Sequence, residues 1–426
     1  MIAIYNVLVY AVYGLLKLIN FLRLTQLMSS ESKLRKFIEG QSKAIECIAT
    51  ANISGNDNVV WFHAASLGEY GIARPIIRRL IEEEHCRVVM TFFSSTGYEA
   101  LHPRVGKDPY APDYVFYLPL DTPGNASRFL DLVRPKKAVF MVSEIWPNYL
   151  HSLHRRGIKS CLVSAKVSKR TAAMKWYGGL HRSAMQCFNK ILVLDELSQE
   201  MLQNAGMADV EKTGNPLFDN VIGVAEQPYE NPILERFCQG HRVFIAGSIS
   251  DDNDLQLTAT LANRHGEMRF IFVPHEITTD NLCQTRSALI GKSVLYSECN
   301  GETDFDGEGI QVLIFDRLGE LSRLYRYGAY AYIGGGFTRY LHSLIEASVY
   351  GLPVSFGPYT GRKVTPQQIV SLGIGRKVST PDELDLWITD IKDNAETLQA
   401  IRRKAIDYVY ANAGATQQVT EIIRNL

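Results

Sequence analysis

The sequence predicts an α/β protein made of two Rossmann-like lobes, each a parallel sheet wrapped by helices. Three observations lead there: the length, the alternation of short β-branched runs with helical stretches, and one interruption of that alternation near the middle. At 426 residues the chain exceeds one ordinary core and fits two or three domains. Hydrophobic residues make up 46% and charged residues 21%, a globular balance that excludes disorder and a multi-span membrane protein.

The first element stands apart. Residues 1–22, "MIAIYNVLVYAVYGLLKLINFL", carry Lys17 as their only charged side chain and match the about 20 apolar residues that cross a bilayer. The basic start and small-residue cleavage site of a secretory signal are lacking, so residues 1–24 read as a retained membrane-anchor helix. Tyr5, Tyr10, Tyr13 and Phe21 suit the interfaces, Lys17 can snorkel, and the cations Arg23, Lys33, Arg35 and Lys36 place the two lobes on the cytoplasmic side. The alternative is a helix lying in the interface or packed on the protein.

From Val59 onward strand and helix alternate. "NVVWFHA" precedes helical "GIARPIIRRLIEEE", "CRVVMTFF" precedes "STGYEAL", and "KAVFMVS" precedes "PNYLHSLHRRG". "KSCLVSA" precedes a longer helical region, and "KILVLD" precedes "ELSQEMLQNAG". The Gly/Pro/Asn-rich passage "TGNPLFDNVIGVAEQPYENP" then links two lobes, assigned to 25–222 and 223–426, with the last helix expected to pack back on the first lobe. The pattern restarts with "HRVFIAGS", "MRFIFVPH", "VLIFD", "AYAYIGGG" and "PVSFGP".

Forty-five basic residues cancel 45 acidic ones, which removes any global field for nucleic acid. Seven scattered cysteines without a CxxC pair read as reduced thiols of a cytosolic domain. No metal or cofactor is expected. His151 and His154 stand one helical turn apart in "HSLH", with no third ligand nearby in sequence.

Ligands of parallel sheets bind outside the carboxyl ends of the strands. That rule selects His63, Ser66 and Glu69, then Ser94, Ser95 and Thr96, then Ser143 and Glu144. Farther on it selects Gly247 and Ser248, His275, the triplet Gly334, Gly335 and Gly336, and Gly357 with Pro358. Glu69 has two readings. Ser66 and Glu69 have the spacing of a capping box, in which the carboxylate only closes a helix start. Pro75 argues against a helix starting there, because it removes the bond to the Gly71 carbonyl. The helix must then kink or begin near Ala73 or Arg74, where Pro75 falls in the first turn and residues 66–71 form a loop projecting a catalytic Glu69. In the second lobe, "AYIGGGF" before helical "YLHSLIEASVYG" would bring backbone N–H groups to a phosphate. The dinucleotide fingerprint fails, since position 339 is Arg.

"WFHAASLGE", "MTFFSSTGYEA", "YLPLD", "SEIWPN", "KWYG", "GNPLFDNV", "FDRLGELSRLYRYGAYAYIGGGF" and "HSLIEASVYGLPVSFGP", in this order, resemble the 3-deoxy-D-manno-octulosonic acid (Kdo) transferases of Gram-negative bacteria. The resemblance covers nearly the whole chain, and "HAASLGE" and "SEIWP" are its sharpest motifs. It implies a membrane-associated, inverting glycosyltransferase of the B fold, two lobes facing a cleft, acting in lipopolysaccharide biosynthesis at the inner membrane. Such an enzyme moves Kdo from CMP-Kdo to the tetraacyl disaccharide bisphosphate precursor of lipid A.

Carried onto this chain, the resemblance makes Glu69 of "SLGE" the general base and Glu144 of "EIWP" the residue that orients the acceptor or the base. It places His342, Ser343 and Glu346 at the donor, where the strand-end rule adds Gly247, Ser248, His275, Gly334, Gly335 and Gly336; that rule and the basic stretch below give Ser66, Gly68, Ser95, Thr96 and Lys166 as the acceptor candidates. The basic, aromatic stretch "SAKVSKRTAAMKWYGGLHR" suits anionic headgroups or acceptor phosphates beside acyl chains, or else is a solvated basic helix. Departures from the family fall in the donor half. Ser343 replaces the usual Asn, "GSISDDND" shifts the usual acids, "VPHE" lacks a usual Arg, and "GPYTGRKVTPQQ" lacks the usual acid. Arg339, Arg362 and Lys363 are the candidate replacement cations. A B-fold transferase of UDP-sugars and a catalytically silent membrane-bound interaction protein are the rival classes.

Overall fold

The alternation read from the sequence becomes two seven-stranded parallel sheets in a computed structural model that describes residues 1–29, 32–53, 58–338, 340–361 and 363–426. The first sheet comprises β1 (Val59–Ala64), β2 (Arg87–Phe92), β3 (Tyr114–Tyr117), β4 (Lys137–Met141), β5 (Lys159–Ala165), β6 (Lys190–Val193) and β7 (Val210–Lys212). Its spatial order is β3-β2-β1-β4-β5-β6-β7, a doubly wound sheet whose order reverses between β1 and β4. The second comprises β8 (Val243–Ile249), β9 (Arg269–Pro274), β10 (Lys292–Leu295), β11 (Ile310–Ile314), β12 (Tyr330–Ile333), β13 (Val354–Phe356) and β14 (Gly375–Lys377), in the order β10-β11-β9-β8-β12-β13-β14. Every residue of β1 and β9 is buried, as parallel strands covered by helices on both faces require.

The chain divides into two compact units, 1–220 with 413–426, and 221–412. In the first, α1 (Ile2–Phe21) leads through a short turn to α2 (Lys33–Thr50), and α3 (Leu67–Glu84) follows β1. The C-terminal helix Ala415–Arg424 belongs to this unit. Its Val419 and Ile423 share a buried cluster with Tyr70, Ala73, Ile76, Ile77 and Leu80 of α3, and the Lys137 ammonium donates to the carbonyls of Ile423 (2.8 Å) and Arg424 (2.6 Å).

Four expectations are corrected. The helix after β1 neither waits for Ala73 nor leaves residues 66–71 as a loop; α3 starts at Leu67 and continues through Pro75. An interior proline costs a helix about 3 kcal/mol. The buried stripe Tyr70, Ala73, Ile76, Ile77 and Leu80 spans that position and holds the helix on the sheet. The long helix expected after "KSCLVSA" is instead a loop with a 3-10 turn, Ala172–Met174, and one short helix, Gly179–Met185. Backbone closeness explains this: a Cβ on Gly178 would lie 1.9 Å from the Ala172 carbonyl oxygen. The helix expected after the glycine triplet shrinks to Ile345–Ser348, because His342 N–H bonds back to the Gly334 carbonyl (3.1 Å) instead of into a helix. Finally β3, β7, β10 and β14, each of three or four residues, were not among the strands the pattern predicts.

Candidate active site

The carboxyl edge of the first sheet gathers the acids. Ser66 caps α3, its hydroxyl accepting from Glu69 N–H at 3.5 Å, and Glu69 Oε2 turns back to accept the Ala65 N–H at 2.7 Å. The capping geometry is therefore present, displaced by one residue from the usual reciprocal pair. One carboxylate oxygen is engaged; Oε1 has no hydrogen-bond partner among the described residues. Burial pushes the Glu69 carboxyl from 4.5 up to about 7; the Ala65 N–H opposes this and the neighbouring Glu144 charge adds to it.

Glu144 is clamped. Its Oε2 receives His63 Nε2 at 3.0 Å and the Trp146 indole N–H at 2.9 Å, and its side chain is 12% exposed. His63, fully buried at the end of β1, is itself set by Thr91 of β2, with Nδ1 2.9 Å from the hydroxyl and 3.1 Å from the carbonyl. Trp61 donates to the same Thr91 hydroxyl at 2.8 Å. Three adjacent strands thus fix one carboxylate. The turn that delivers it is strained: Val142, β-branched, holds φ of 55° while its N–H bonds the Val163 carbonyl at 2.8 Å.

The other named residues of this unit line the same edge. Ser94 caps the helix Ser95–Leu101 and lies 3.0 Å from the Thr96 hydroxyl; Ser95 is buried. Gly68 occupies the first turn of α3. Lys166 follows β5, its ammonium pushed down by burial and supported by Asp195 after β6.

In the second unit, Gly247, Ser248 and Gly334 meet where β8 and β12 end, with Gly334 N–H on the Gly247 carbonyl at 2.9 Å. The triplet is packed rather than open. A Cβ on Gly334 would lie 2.0 Å from the Ser248 carbonyl oxygen, and one on Gly336 2.4 Å from the Gly357 nitrogen. Gly335 N–H, expected to face a phosphate, donates to Asp254 at 2.8 Å. Asp254 is fully buried and also accepts Ser250 N–H (3.0 Å) and the Tyr332 hydroxyl (2.6 Å). The His342 and His275 rings lie 4.5 Å apart, tilted by 44°, and Ser250 Oγ sits 3.2 Å from His342 Nε2. Burial, with His275 and Lys363 nearby, pushes His342 down to about 4, so it is neutral at pH 7. The Lys363 ammonium donates to the Leu341 carbonyl, and burial pushes it down from the usual lysine range. Burial pushes Glu346 up to about 7 against the Ser343 hydroxyl beside it, so it is not an exposed helix acid. Arg339 and Arg362 lie outside the described residues.

Sequence reasoning missed the Thr91–His63–Trp146 clamp and the Asp254 anchor. For the second a signal existed: Asp251 and Asp254 repeat the cap-to-acid spacing of Ser66 and Glu69.

Two Rossmann-type sheets in tandem, with paired acids at the carboxyl edge of the first and a glycine turn at that of the second, give this chain the glycosyltransferase-B fold. Solved structures share this fold. A UDP-GlcNAc 2-epimerase from Neisseria meningitidis aligns with TM-score 0.62 at 15% identity, covering 86% of this chain and all of that one. A glycosyltransferase from Rickettsia africae ESF-5 aligns with TM-score 0.55 at 12% identity, covering 87% and 98%. In sequence, residues 39–220 match the family described as 3-deoxy-D-manno-octulosonic-acid transferase (kdotransferase). The 3-deoxy-D-manno-octulosonic acid transferases of Haemophilus influenzae (24% identical, 86% of each chain) and Bordetella pertussis (26%, 86% of this chain and 87% of that one) are similar over nearly their whole lengths. Residues 39–220 thus carry a domain of the Kdo transferase type, and the chain as a whole is similar to Kdo transferases.

Proposed function

We infer that this enzyme moves Kdo from CMP-Kdo onto the tetraacyl disaccharide bisphosphate precursor of lipid A, with inversion, at the cytoplasmic face of the inner membrane. The first unit takes the acceptor and the second the donor. Glu69 Oε1 receives the proton of the acceptor hydroxyl as that oxygen bonds to the anomeric carbon of Kdo. The bond from that carbon to the CMP phosphate oxygen breaks, and CMP leaves with the electron pair. No covalent enzyme intermediate is needed for inversion.

The observation that carries this reading is the condition of Glu69: one oxygen fixed, one without a partner among the described residues, and a carboxyl pushed up to about 7. A base serves best when its pKa lies near the working pH, and such proton transfer is worth about 10² to 10⁴-fold. The clamped Glu144 charge favours a proton arriving on Glu69. Ser66, Gly68, Ser95, Thr96 and Lys166 border this edge and would orient the acceptor. Opposite the donor, His342 is uncharged at pH 7, so Lys363 is the described cation suited to the CMP phosphate. The glycine triplet then acts by building the turn that carries His342 and Ser343, while Glu346 and His275 complete the donor surface beside Gly247 and Ser248.

The experiment measures CMP release from CMP-Kdo with the lipid acceptor. Wild type turns over, and Glu69→Gln falls by at least about 10²-fold. Turnover of a UDP-sugar instead, or near-normal release by Glu69→Gln, overturns the donor or the base, respectively.

A further inference from the structure

Helix α1 touches its own unit along its whole length. Near its start the Tyr5 hydroxyl donates to Asp121 Oδ2 at 2.7 Å, and Asn6 Oδ1 accepts from Asn148 Nδ2 at 2.8 Å. Asp121 is 1% exposed and is further held by the N–H groups of Asn148 (3.1 Å) and Tyr149 (3.0 Å), so the contact point is an internal, fixed carboxylate. Farther along, the half-buried residues Tyr5, Asn6, Val9, Tyr13, Leu16, Ile19 and Asn20 recur every three or four positions, one stripe of the helix. At its far end the chain turns through Leu24–Leu27, where Thr25 is buried, into α2. Gln41 of α2 is bonded to the Leu118 carbonyl (2.8 Å) and the Leu120 N–H (3.0 Å).

A helix of 20 residues rises about 30 Å, the thickness of the hydrocarbon layer. A span would separate its two ends by that layer, yet both ends lie on one unit. The opposite stripe is apolar and open: Ile4, Val7, Leu15 and Leu18 are 50% exposed or more. The surface continues past the helix start. A Cβ on Gly179 would lie 2.5 Å from Met1 Cε, and close by in the chain Trp176 is 91% exposed and Tyr177 57%. Exposed Lys169 and Arg170, and half-buried Lys175, flank these rings.

We propose that α1 lies in the plane of the membrane, its Ile4–Val7–Leu15–Leu18 face and the Trp176–Tyr177 loop seating the first unit on an anionic lipid surface without crossing it. The inference deepens the membrane-side reading above and rests on it. Apolar area buried to headgroup depth and cations beside it are what interfacial helices use. Trp and Tyr prefer that depth.

The test uses the full chain with the exposed thiols removed (Cys47→Ser, Cys283→Ser), bound to phosphatidylethanolamine–phosphatidylglycerol vesicles. A fluorophore is placed in turn on Ile4→Cys, Ala11→Cys and Leu18→Cys, which share the open face at the two ends and the middle of α1. Quenching by lipids spin-labelled at shallow or deep positions should report one shallow depth for all three. A deep Ala11 site between shallow Ile4 and Leu18 sites would establish a span and overturn the proposal. Lys169→Glu with Arg170→Glu should weaken partitioning about tenfold or more on anionic vesicles and leave neutral ones unaffected; equal loss on both overturns the electrostatic part. Failure to bind any vesicle overturns the surface itself, and CMP release with detergent-dispersed acceptor then judges the transferase reading separately.

Discussion

In each unit the helix after the sheet's first strand carries an acid as its third residue, capped by a side chain three positions earlier. Ser66 and Glu69 form this pair after β1; Asp251 and Asp254 form it after β8. Both acids reach back to the N–H of the residue before the cap, Ala65 at 2.7 Å and Ser250 at 3.0 Å. There the likeness ends. Asp254 also takes Gly335 N–H and the Tyr332 hydroxyl and is fully buried, while Glu69 takes nothing more among the described residues and faces Glu144. The same local motif leaves one acid fully engaged and the other with an oxygen to spare, and the proposed role of Glu69 as a base rests on that difference. Capping and the proposed catalysis by Glu69 are therefore compatible: one oxygen holds the Ala65 N–H and the other has no partner among the described residues.

Exchanging the two acids' fates gives the largest effects. Glu69→Gln should lose at least about 10²-fold in turnover without loss of stability. Its folded carboxyl, near 7 against 4.5 unfolded, gives stability that is full below 4.5 and lost as pH rises through 7. Above pH 7 the variant should thus melt no lower than wild type. Asp254→Ala should do the reverse, leaving three donors unmatched at a cost of about 3 kcal/mol or more, visible in denaturant unfolding. If Asp254→Ala melts normally, the contrast between the units fails.

A smaller effect concerns pH. Glu69 must be ionised to act, so activity should rise with pH through about 7. In Glu144→Gln the neighbouring charge is gone and this limb should move to lower pH. Burial, the larger cause, should keep it above the ordinary glutamate range. A limb that stays in place would show that Glu144 does not act on Glu69 through its charge. The smallest effect sharpens the caps. Asp251 accepts N–H bonds at 2.8 and 3.0 Å whereas Ser66 accepts one at 3.5 Å, so in thermal unfolding Asp251→Ala should cost about 1 kcal/mol and Ser66→Ala less.

The sequence made the parallel α/β architecture readable because buried strands such as "VVWFHA" are continuous apolar runs. The edge strands β7 and β14 have three residues each and leave no such run. The Lys166 to Arg182 stretch looked helical by composition, but Gly178 gives a backbone approach that no periodicity reveals. At the candidate site, the positions of Glu69 and Glu144 just beyond β1 and β4 were legible from strand ends and motifs. The clamp on Glu144 was not, since His63 and Trp146 stand 83 positions apart and only the β1–β4 adjacency joins them. The glycine triplet was read as open because a sequence shows where side chains are missing and not what fills the space.

The return of residues 413–426 to the first unit bears on how the protein is made. A ribosome delivers chains from the N-terminus, and domains fold as they emerge. Here the groove beside α3 that Val419 and Ile423 fill stays apolar and uncovered while all of residues 221–412 are synthesised. The unit bearing Glu69 is thus translated early and finished late, so a nascent chain stalled inside the second unit would display a sticky, incomplete first one to chaperones and proteases.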